Sequence, residues 1–403
     1  MLMLRDKGIS IDYVTLAEAL DRKGKLEKAG GAVYIGQLTD RIPTSADIEY
    51  YAGIVKDKAI IRSLIIGANE IVKIARTNVS DVSIAVESAE KIIFDINREL
   101  KNEAIGLVHA KELVNTLYDK IKLISEGKIE EGGIKSVYSD LDAKLMGGLH
   151  SSDLIIIAGR PGIGKTSLAM NIAEHVAVYE NKPVALFSLE MGRDQLLLRI
   201  LSSISAVPQN RLRDSRYLKS EELIELTKAS AKIYDAPLYI DYTAGISPME
   251  IRAKLRRLAL RERDLALVVV DYLQLMKIKT RIDSREQEIS EISRSMKAIA
   301  KEFKIPVIAL SQLNRNVEAR GDKRPMMSEL RESGAIEQDA DVIIFLYRDE
   351  LYNKNNPSNK GKAEVIVAKQ RNGPTGIVNL TFLANSTRFV DFTEVSYESE
   401  EEI

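Results

Sequence analysis

The chain has 403 residues, of which 45% are hydrophobic and 29% are charged, a balance that indicates folded protein of more than one domain and excludes bulk disorder. Its 58 basic and 59 acidic residues leave a net charge of −1, so overall charge alone gives no argument for a nucleic-acid partner. Cysteine is absent, which excludes disulfides and thiolate metal sites, and the 3 histidines show no metal-ligand spacing.

The first part of the chain is predicted to be helical. Residues 1–100 carry apolar stripes at helical spacing, and residues 101–133 are predicted to be a linker that contains one amphipathic helix at 110–125. The stripe of that helix must be buried, and a neighbouring subunit and its own domain are equally open as partners. No apolar run approaches the ~20 residues of a membrane helix, and no signal peptide is recognised, so we expect a cytoplasmic protein without membrane contact.

From residue 134 to 395 the pattern changes, and an acidic tail covers residues 396–403. Short apolar runs now alternate with helical segments. The predicted strands are 154–158, 184–188, 238–240, 267–271, 307–311, 342–346, 364–368 and 378–382. Buried strands between helices indicate an α/β domain with a largely parallel sheet, and the short turns between the last strands predict an antiparallel edge.

The most specific motif is a glycine-rich run between a predicted strand and a predicted helix. It consists of Gly159, Arg160, Pro161, Gly162, Ile163, Gly164, Lys165 and Thr166, and Ser167 follows in the helix. The glycines let backbone N–H groups cradle phosphate oxygens at the start of a helix. In such a loop the lysine meets the β- and γ-phosphates, and the threonine hydroxyl meets Mg²⁺. The motif therefore predicts binding and hydrolysis of a nucleoside triphosphate.

Polar residues end three other predicted strands. Asp271 ends the strand 267–271, and at the crevice where open α/β sheets bind ligands it could reach Mg²⁺. Glu190 follows the strand 184–188, where a carboxylate can deprotonate the attacking water, although a solvated acidic residue is an equal alternative. Gln312 follows a third strand and could sense whether the γ-phosphate is present.

The loop after this third strand is basic. It carries Arg320, Lys323 and Arg324. A basic loop beside a residue that senses phosphate could bind nucleic acid with an affinity that depends on the bound nucleotide. A solvated loop without a ligand is the equal alternative.

Two cations near the end of the predicted sheet form a further candidate site. Lys369 and Arg371 lie at i and i+2 in an extended segment, so their side chains project to the same side. A neighbouring subunit could receive them as an arginine finger with a lysine companion. From the residues alone, an ordinary surface turn is the simpler interpretation.

These motifs occur together, in order, and with amino-acid sequences that are recognisable. The runs that carry the resemblance are 187–191, 270–275, 289–295, 307–313, 322–334 and 369–374. From about 134 to 392 the chain resembles the motor domain of the DnaB-family replicative DNA helicases. The resemblance implies a RecA-like P-loop NTPase domain with a mostly parallel central sheet, preceded by a small all-α N-terminal domain and a linker helix.

The resemblance also implies a role for each matching residue at the nucleotide. Lys165 and Thr166 would hold phosphate and Mg²⁺, with Asp271 as the second acid of the Mg²⁺ site. Glu190 would be the catalytic base. Gln312 would sense the γ-phosphate, and Arg199 falls where the family has an arginine near the phosphates.

Other implied roles lie away from the phosphate loop. Lys369 and Arg371 would act in trans on the nucleotide of the next subunit. Arg331, Glu332 and Gly334 fall in the loop that holds the backbone of single-stranded DNA in this family. Together these roles imply hydrolysis at an interface between subunits.

The implied function is that of a homo-hexameric ring that hydrolyses ATP with Mg²⁺ and moves 5′→3′ on single-stranded DNA. It would unwind forked duplex DNA, with a primase and a helicase loader as partners. Two alternatives stay open, a strand-exchange ATPase that forms open filaments and a non-catalytic scaffold. Residues 10–16, 30–35 and 42–52 resemble the later half of the family's helical N-terminal domain, so we expect that domain to be shortened.

Overall fold

The structure divides into two units, Met1–Val108 and His109–Ile403, and each is described by itself. It is a computed structural model. The domain boundaries predicted at residues 100 and 133 stay predictions. The predicted acidic tail and residues 127–131 of the predicted linker lie outside the described residues. Described are residues 12–40, 48–76, 82–100, 110–126, 132–214, 216, 218–262, 264–278, 284–314, 320–353 and 359–392.

The described residues of the first unit are mostly helical, as predicted. The helices are Tyr13–Asp21 (α1), Gly31–Asp40 (α2), Ile48–Arg76 (α3) and Val82–Leu100 (α4), with a 3₁₀ turn at Glu27–Ala29. The Asp12 carboxylate caps α1 by accepting from the backbone N–H of Val14 and of Thr15, each at 2.9 Å. The helices α3 and α4 approach closely at Gly67, where an added Cβ would lie 2.8 Å from the Ile92 side chain.

The second unit contains the sheet and the helices that cover it. Its helices are Ala110–Ser125 (α5), Ser139–Lys144 (α6), Lys165–Glu174 (α7), Arg193–Ser205 (α8), Gln209–Arg213 (α9), Ser220–Asp235 (α10), Pro248–Arg261 (α11), Arg285–Phe303 (α12) and Gly334–Asp339 (α13). The helix α7 continues as a π turn at His175–Tyr179, and 3₁₀ helices cover Leu273–Leu275, Met327–Ser333 and Asp349–Leu351. Among the described residues, no helix is long and apolar enough to cross a membrane.

The strands form one mixed sheet in the order β3-β2-β4-β5-β1-β6-β7-β8-β9. They are Leu154–Gly159 (β1), Val184–Ser188 (β2), Leu238–Asp241 (β3), Leu267–Asp271 (β4), Val307–Gln312 (β5), Val342–Tyr347 (β6), Lys362–Gln370 (β7), Gly376–Leu383 (β8) and Arg388–Asp391 (β9). The pairs from β3 to β6 are parallel, and those from β6 to β9 are antiparallel. The predicted mostly parallel α/β fold with an antiparallel edge is confirmed, and β9 is a strand that the sequence pattern missed.

Two hydrophobic cores enclose the sheet, one on each face. Ile155 and Ile157 of β1 point into the core that contains side chains of α7 and α8. Leu154 and Ile156 point into the other, which contains side chains of α11 and α12. A parallel strand that is covered on both faces needs apolar residues at successive positions, which explains the uninterrupted apolar runs.

The strand register gives the sheet two chemically different edges. At the edge formed by the carboxyl ends of the parallel strands, Gly159 of β1 lies beside Gln312 of β5. At the other edge, Ile155 lies beside Val342 of β6, and Val342 lies beside Gln370 of β7. Because β7 runs antiparallel to β6, the carboxyl end of β7 lies at the second of these edges, about 13 Å along β1 from the first. We call these the carboxyl edge and the amino edge.

Candidate nucleotide site and its trans-acting cations

The phosphate loop joins β1 to α7 at the carboxyl edge, and its shape depends on glycine. Gly162 and Gly164 have φ of 76° and 109°, which side chains with a Cβ rarely adopt. At Gly164 there is also no room, because an added Cβ would lie 2.9 Å from Cζ of the Phe389 ring on β9. Ile163 is buried, and Arg160 Nη1 donates to the Leu313 carbonyl at 2.9 Å. The loop is therefore held open in a phosphate-cradling shape from both sides.

Lys165 is folded back onto this loop. Its Nζ donates to the carbonyl of Gly159 at 2.8 Å and to that of Arg160 at 3.1 Å. Burial lowers the pKa of Lys165 to about 8, although the nearby carboxylates of Asp271 and Glu190 oppose the shift. A phosphate group would stabilise the charged form of this ammonium group more strongly than two neutral carbonyls do.

Thr166 and Asp271 form the polar pair of the site. Thr166 Oγ1 donates to Asp271 Oδ2 at 2.9 Å, which joins the start of α7 to the end of β4. Asp271 is 3% exposed, and burial raises its pKa to about 6 even though the threonine hydrogen bond lowers it. The sequence predicted both as Mg²⁺ ligands, and the structure brings them together.

The donor set fits Mg²⁺ in character. A hydroxyl and a carboxylate oxygen are hard ligands, and Mg²⁺ commonly takes one or two of them and completes its shell with phosphates and water. Within the described part of the chain, no group of three or more His, Asp or Glu side chains could hold a metal ion alone. Thr166 and Asp271 would leave the other positions around a cation to phosphate oxygens and water.

A cavity of about 350 Å³ lies over the phosphate loop. Glu190 is exposed at its wall, two residues beyond the end of β2. The cavity is lined by Pro161, Gly162, Gly164, Lys165, Thr166, Ser167, Glu190, Met191, Arg199, Asp271, Tyr272, Gln312, Arg348, Phe382, Ala384 and Thr387. The sequence-predicted residues Gly159, Arg160 and Ile163 are not in this lining and instead shape the loop beneath it.

Arg199 reaches the cavity from α8. Its Nε–H is buried and, among the described residues, has no hydrogen-bond partner. Burial lowers the pKa of Arg199, and the Asp271 carboxylate opposes the shift. A buried donor without an acceptor is costly, so this group is suited to an anionic ligand that supplies the missing oxygen.

Gln312 lies between the nucleotide site and a second glutamine that sequence reasoning did not single out. Gln274 Nε2 donates to Ser311 Oγ at 2.9 Å and to the Gln312 carbonyl at 3.2 Å, and its Oε1 accepts from the Gln312 N–H at 3.3 Å. The Gln312 backbone is thus clamped by the segment after β4. The clamp ties the predicted sensor to the strand that ends in Asp271.

Arg348 and Phe382 are among the lining residues that sequence reasoning missed, together with Met191, Tyr272, Ala384 and Thr387. The Arg348 guanidinium lies 4.0 Å from the centroid of the Phe382 ring, and its Nε donates to Glu350 Oε1 at 2.9 Å. The available signal was the position of Arg348, because it directly follows β6, a buried parallel strand that ends at the same edge.

Lys369 and Arg371 lie at the amino edge, away from the phosphate loop of their own chain. A β-bulge between Ile343 and Ile344 of β6 faces this part of β7 and re-aims the end of the strand. Arg371 is half exposed, and its Nε lies 3.4 Å from Asp341 Oδ1. Burial and the neighbouring Arg371 lower the pKa of Lys369. The chain does not bring these two cations to its own nucleotide cavity.

The basic loop residues are engaged within the chain. Arg320 Nη1 lies 2.9 Å from Glu329 Oε1, and this glutamate is nearly buried at the base of the 3₁₀ helix Met327–Ser333. Arg324 donates from Nε and Nη2 to the two oxygens of Glu364, each at 2.8 Å, which raises its pKa. Lys323 is partly buried beside them. Their predicted contact with DNA stays a prediction, since these partners are internal.

The predicted DNA loop itself begins in the 3₁₀ helix. Arg331 and Glu332 lie in it, and their side chains are outside the described part of the structure. Gly334 is the first residue of α13, has a helical φ of −52° and is exposed, and outside its chain neighbours and its own helix no atom of the described residues lies within 4 Å of an added Cβ. The backbone of this residue is therefore accessible.

Comparison with known proteins finds family models that match residues in both units. Residues 133–391 match the family model described as DnaB-like helicase C terminal domain, and residues 1–57 match the DnaB-like helicase N terminal domain. The chain is 43% identical over 392 residues to the replicative DNA helicase DnaB of Geobacillus stearothermophilus, covering 97% of this chain and 85% of that protein. It is 44% identical to the replicative DNA helicase DnaC of Bacillus subtilis (strain 168), with the same coverage.

Solved structures give the same answer. One of them, described as an ATPase domain, superposes with a TM-score of 0.66 at 37% identity, covering 72% of this chain and 100% of that one. A DnaB-like replicative helicase, solved with its interactions with primase, superposes with a TM-score of 0.68 at 32% identity, covering 97% and 90%.

Proposed function

The chain belongs to the DnaB-like replicative DNA helicases, which are ATP-dependent enzymes, and on that premise we propose that it is a ring-forming motor whose nucleotide sites are completed between subunits. The ring is a homo-hexamer that moves 5′→3′ on single-stranded DNA and unwinds duplex DNA at a replication fork. The ring hydrolyses ATP, and Mg²⁺ is its cofactor.

The carboxyl edge supplies the chemistry of one subunit. Lys165 exchanges the Gly159 and Arg160 carbonyls for the β- and γ-phosphates, and the Arg199 Nε–H gains the acceptor that it lacks. Thr166 and Asp271 would hold Mg²⁺, which would supply positive charge to neutralise the phosphates. Glu190 takes the proton of the attacking water. Gln312 senses the γ-phosphate through the cavity that it lines.

The observation that carries the trans arrangement is the separation of the two edges. In one chain, Lys369 is near the end of β7 and Arg371 directly follows it, both at the amino edge, whereas the phosphate loop follows the end of β1. A fixed sheet cannot bring these ends together, so the cations can serve a nucleotide only on another subunit. Head-to-tail contacts of this kind form rings when the rotation between subunits closes and open filaments when it does not, and we propose the closed ring.

The DNA contact is proposed for the segment from Arg331 to Gly334, with Arg320, Lys323 and Arg324 in the loop before it. The Arg320–Glu329 ion pair supports the base of this segment. The accessible Gly334 backbone suits close approach by a phosphate. A primase is proposed as a partner, since a similar helicase was solved with its primase interactions, and a helicase loader is proposed from the family. We place the protein in the cytoplasm.

A forked-duplex unwinding assay with ATP and Mg²⁺ tests the proposal. Two forks of the same sequence are compared, one with a single-stranded 5′ tail on the loading strand and one with only a 3′ tail. Unwinding that needs the 5′ tail supports the proposal. Unwinding that needs only a 3′ tail contradicts the polarity, and electron micrographs that show open filaments instead of rings contradict the assembly.

A further inference from the structure

The short helix α13 has an unusual carboxyl-terminal cap. The last carbonyls of a helix have no partner within the helix and need donors from elsewhere. Lys369 Nζ donates to the carbonyl of Glu337 at 2.5 Å and to that of Ala340 at 2.7 Å. Arg371 Nη2 donates to the carbonyl of Gln338 at 3.0 Å. Both donors are cations, which the negative end of the helix dipole also favours.

These cations are fixed against the sheet by Asp341. The Arg371 backbone N–H donates to the Asp341 carbonyl at 3.0 Å, and the guanidinium faces its carboxylate. Asp341 Oδ2 in turn accepts from the Leu154 N–H at 2.8 Å and from the Lys297 ammonium group. The cap is therefore built onto the beginning of β1, and its geometry is set by the rigid part of the domain.

The cap joins two parts of the proposed function. The helix α13 begins at Gly334, in the segment proposed to hold DNA, and ends at the two cations proposed to act on the neighbour's nucleotide. We propose that Lys369 and Arg371 are a switch between these sites: without a neighbour's phosphate they hold α13 in place, and with it they release the helix. This inference rests on the proposed trans role of the two residues.

Competition for the same donors drives the exchange. Hydrogen bonds between two charged partners are stronger than those from a cation to a neutral carbonyl, and an arginine can hold phosphate with two bonds at once, so a phosphate in reach displaces the carbonyls of α13. Arg371 is half exposed and can meet a group on another subunit. The helix has 6 residues and one buried side chain, Ile336, so the cap contributes much of what fixes its carboxyl-terminal end.

Hydrogen exchange of the nucleotide-free protein, measured by mass spectrometry, tests the cap. The double variant Lys369→Gln, Arg371→Gln should exchange the amides of residues 336–341 about tenfold faster than the wild type, because the shorter, neutral side chains deprive the carbonyls at the end of α13 of their charged donors. The matched control is Lys362→Gln, which lies on the same strand at its other end. Unchanged exchange at 336–341 in the double variant overturns the proposal, and equal exchange of β1 and β4 in all three proteins excludes general loss of structure.

Assembled rings test the switch. Adding a non-hydrolysable ATP analogue with Mg²⁺ should speed exchange at 336–341 in wild-type rings and leave it unchanged in Lys165→Ala rings. No increase in wild-type rings that have bound the analogue overturns the switch. The trans role is read separately: if Arg371→Gln rings hydrolyse ATP at the wild-type rate, the proposed function fails even when the cap is found.

Discussion

The two edges of the sheet use their cations in different ways. At the carboxyl edge, Lys165 is bound to two carbonyls of its own loop, and the Nε–H of Arg199 is buried without a partner among the described residues. At the amino edge, Lys369 and Arg371 donate to the end of α13. An anion that arrives at the first edge meets a lysine bound only to its own loop and the unpartnered donor on α8, whereas an anion at the second edge must take donors away from the carbonyls of a separate helix.

On the proposed function, this difference would let one fold both bind ATP and transmit its presence. A site whose donors are free or bound to their own loop binds its ligand without rearranging other elements. A site whose donors already hold a helix cannot bind without moving that helix, so the ligand and the helix are coupled. The predictions that follow test the two edges, beginning with the largest expected effect.

Lys165→Ala should lower ATP turnover by more than about 10³-fold, because the change removes the point charge that holds the β- and γ-phosphates. Turnover is measured as DNA-stimulated phosphate release. The control is Lys182→Ala, which removes an exposed lysine paired with Glu180. Full ATPase activity of the Lys165 variant would contradict the assignment of the carboxyl edge.

Arg371→Ala should lower turnover on the order of 10³-fold while an isolated subunit binds nucleotide as before, because the arginine acts on another chain. Arg216→Ala, at an exposed arginine paired with Asp214, is the control. Mixing Arg371→Ala with Lys165→Ala subunits should restore turnover at the roughly one-quarter of interfaces that combine an intact loop with an intact arginine. If the mixture is as inactive as its parts, the trans arrangement is wrong.

Glu190→Gln should lower turnover by about 10²-fold and leave nucleotide affinity unchanged, because the amide keeps the size of the side chain but cannot accept the proton of water. Glu221, an exposed acid in the first turn of α10, provides the control Glu221→Gln. A variant that binds and hydrolyses normally would show that Glu190 is only a solvated residue at the end of its strand.

The pH profile of kcat/KM should be bell-shaped. Asp271 has a pKa raised to about 6, and below this value it becomes protonated and loses the charge that a cation needs. Lys165 has a pKa lowered to about 8, and above this value it loses the charge that phosphate needs. Outside these limits kcat/KM should fall about tenfold per pH unit. A flat profile from about pH 5 to 9 would contradict both assignments.

Gly334→Ala gives the smallest expected effect. The residue has a helical φ and open space around an added Cβ, so the free energy of unfolding should change by less than about 1 kcal/mol. The affinity for single-stranded DNA should fall a few-fold, since the methyl group keeps a phosphate away from the backbone. Both are measured on one preparation, by thermal unfolding and by fluorescence anisotropy. Unchanged DNA affinity would remove Gly334 from the DNA contact.

The strands and the phosphate loop could be predicted because their signals are local. Apolar runs identified the buried strands, and the ends of those strands identified Asp271, Glu190 and Gln312 as neighbours in space. The strand β9 was not predicted from the sequence, because it has four residues and one buried side chain, Phe389, which is too short an apolar pattern to recognise.

The missed contacts depend on residues far apart in sequence. Gln274 meets β5 through the register of two strands, and Arg348 meets a ring on β8. Arg320 and Arg324 were predicted from charge alone, which gives no information about acidic partners such as Glu364. The cap of α13 was also beyond prediction, because its acceptors are backbone carbonyls, which every residue carries.

The contact between Gly164 and the Phe389 ring has a consequence for biosynthesis. The phosphate loop is translated long before β9, so a nascent chain carries the loop without the ring that borders it. The loop therefore reaches its final packing only after β9 has been translated and folded. A chain that stops before β9 should bind nucleotide more weakly than the full chain, because one side of its phosphate loop would be uncovered.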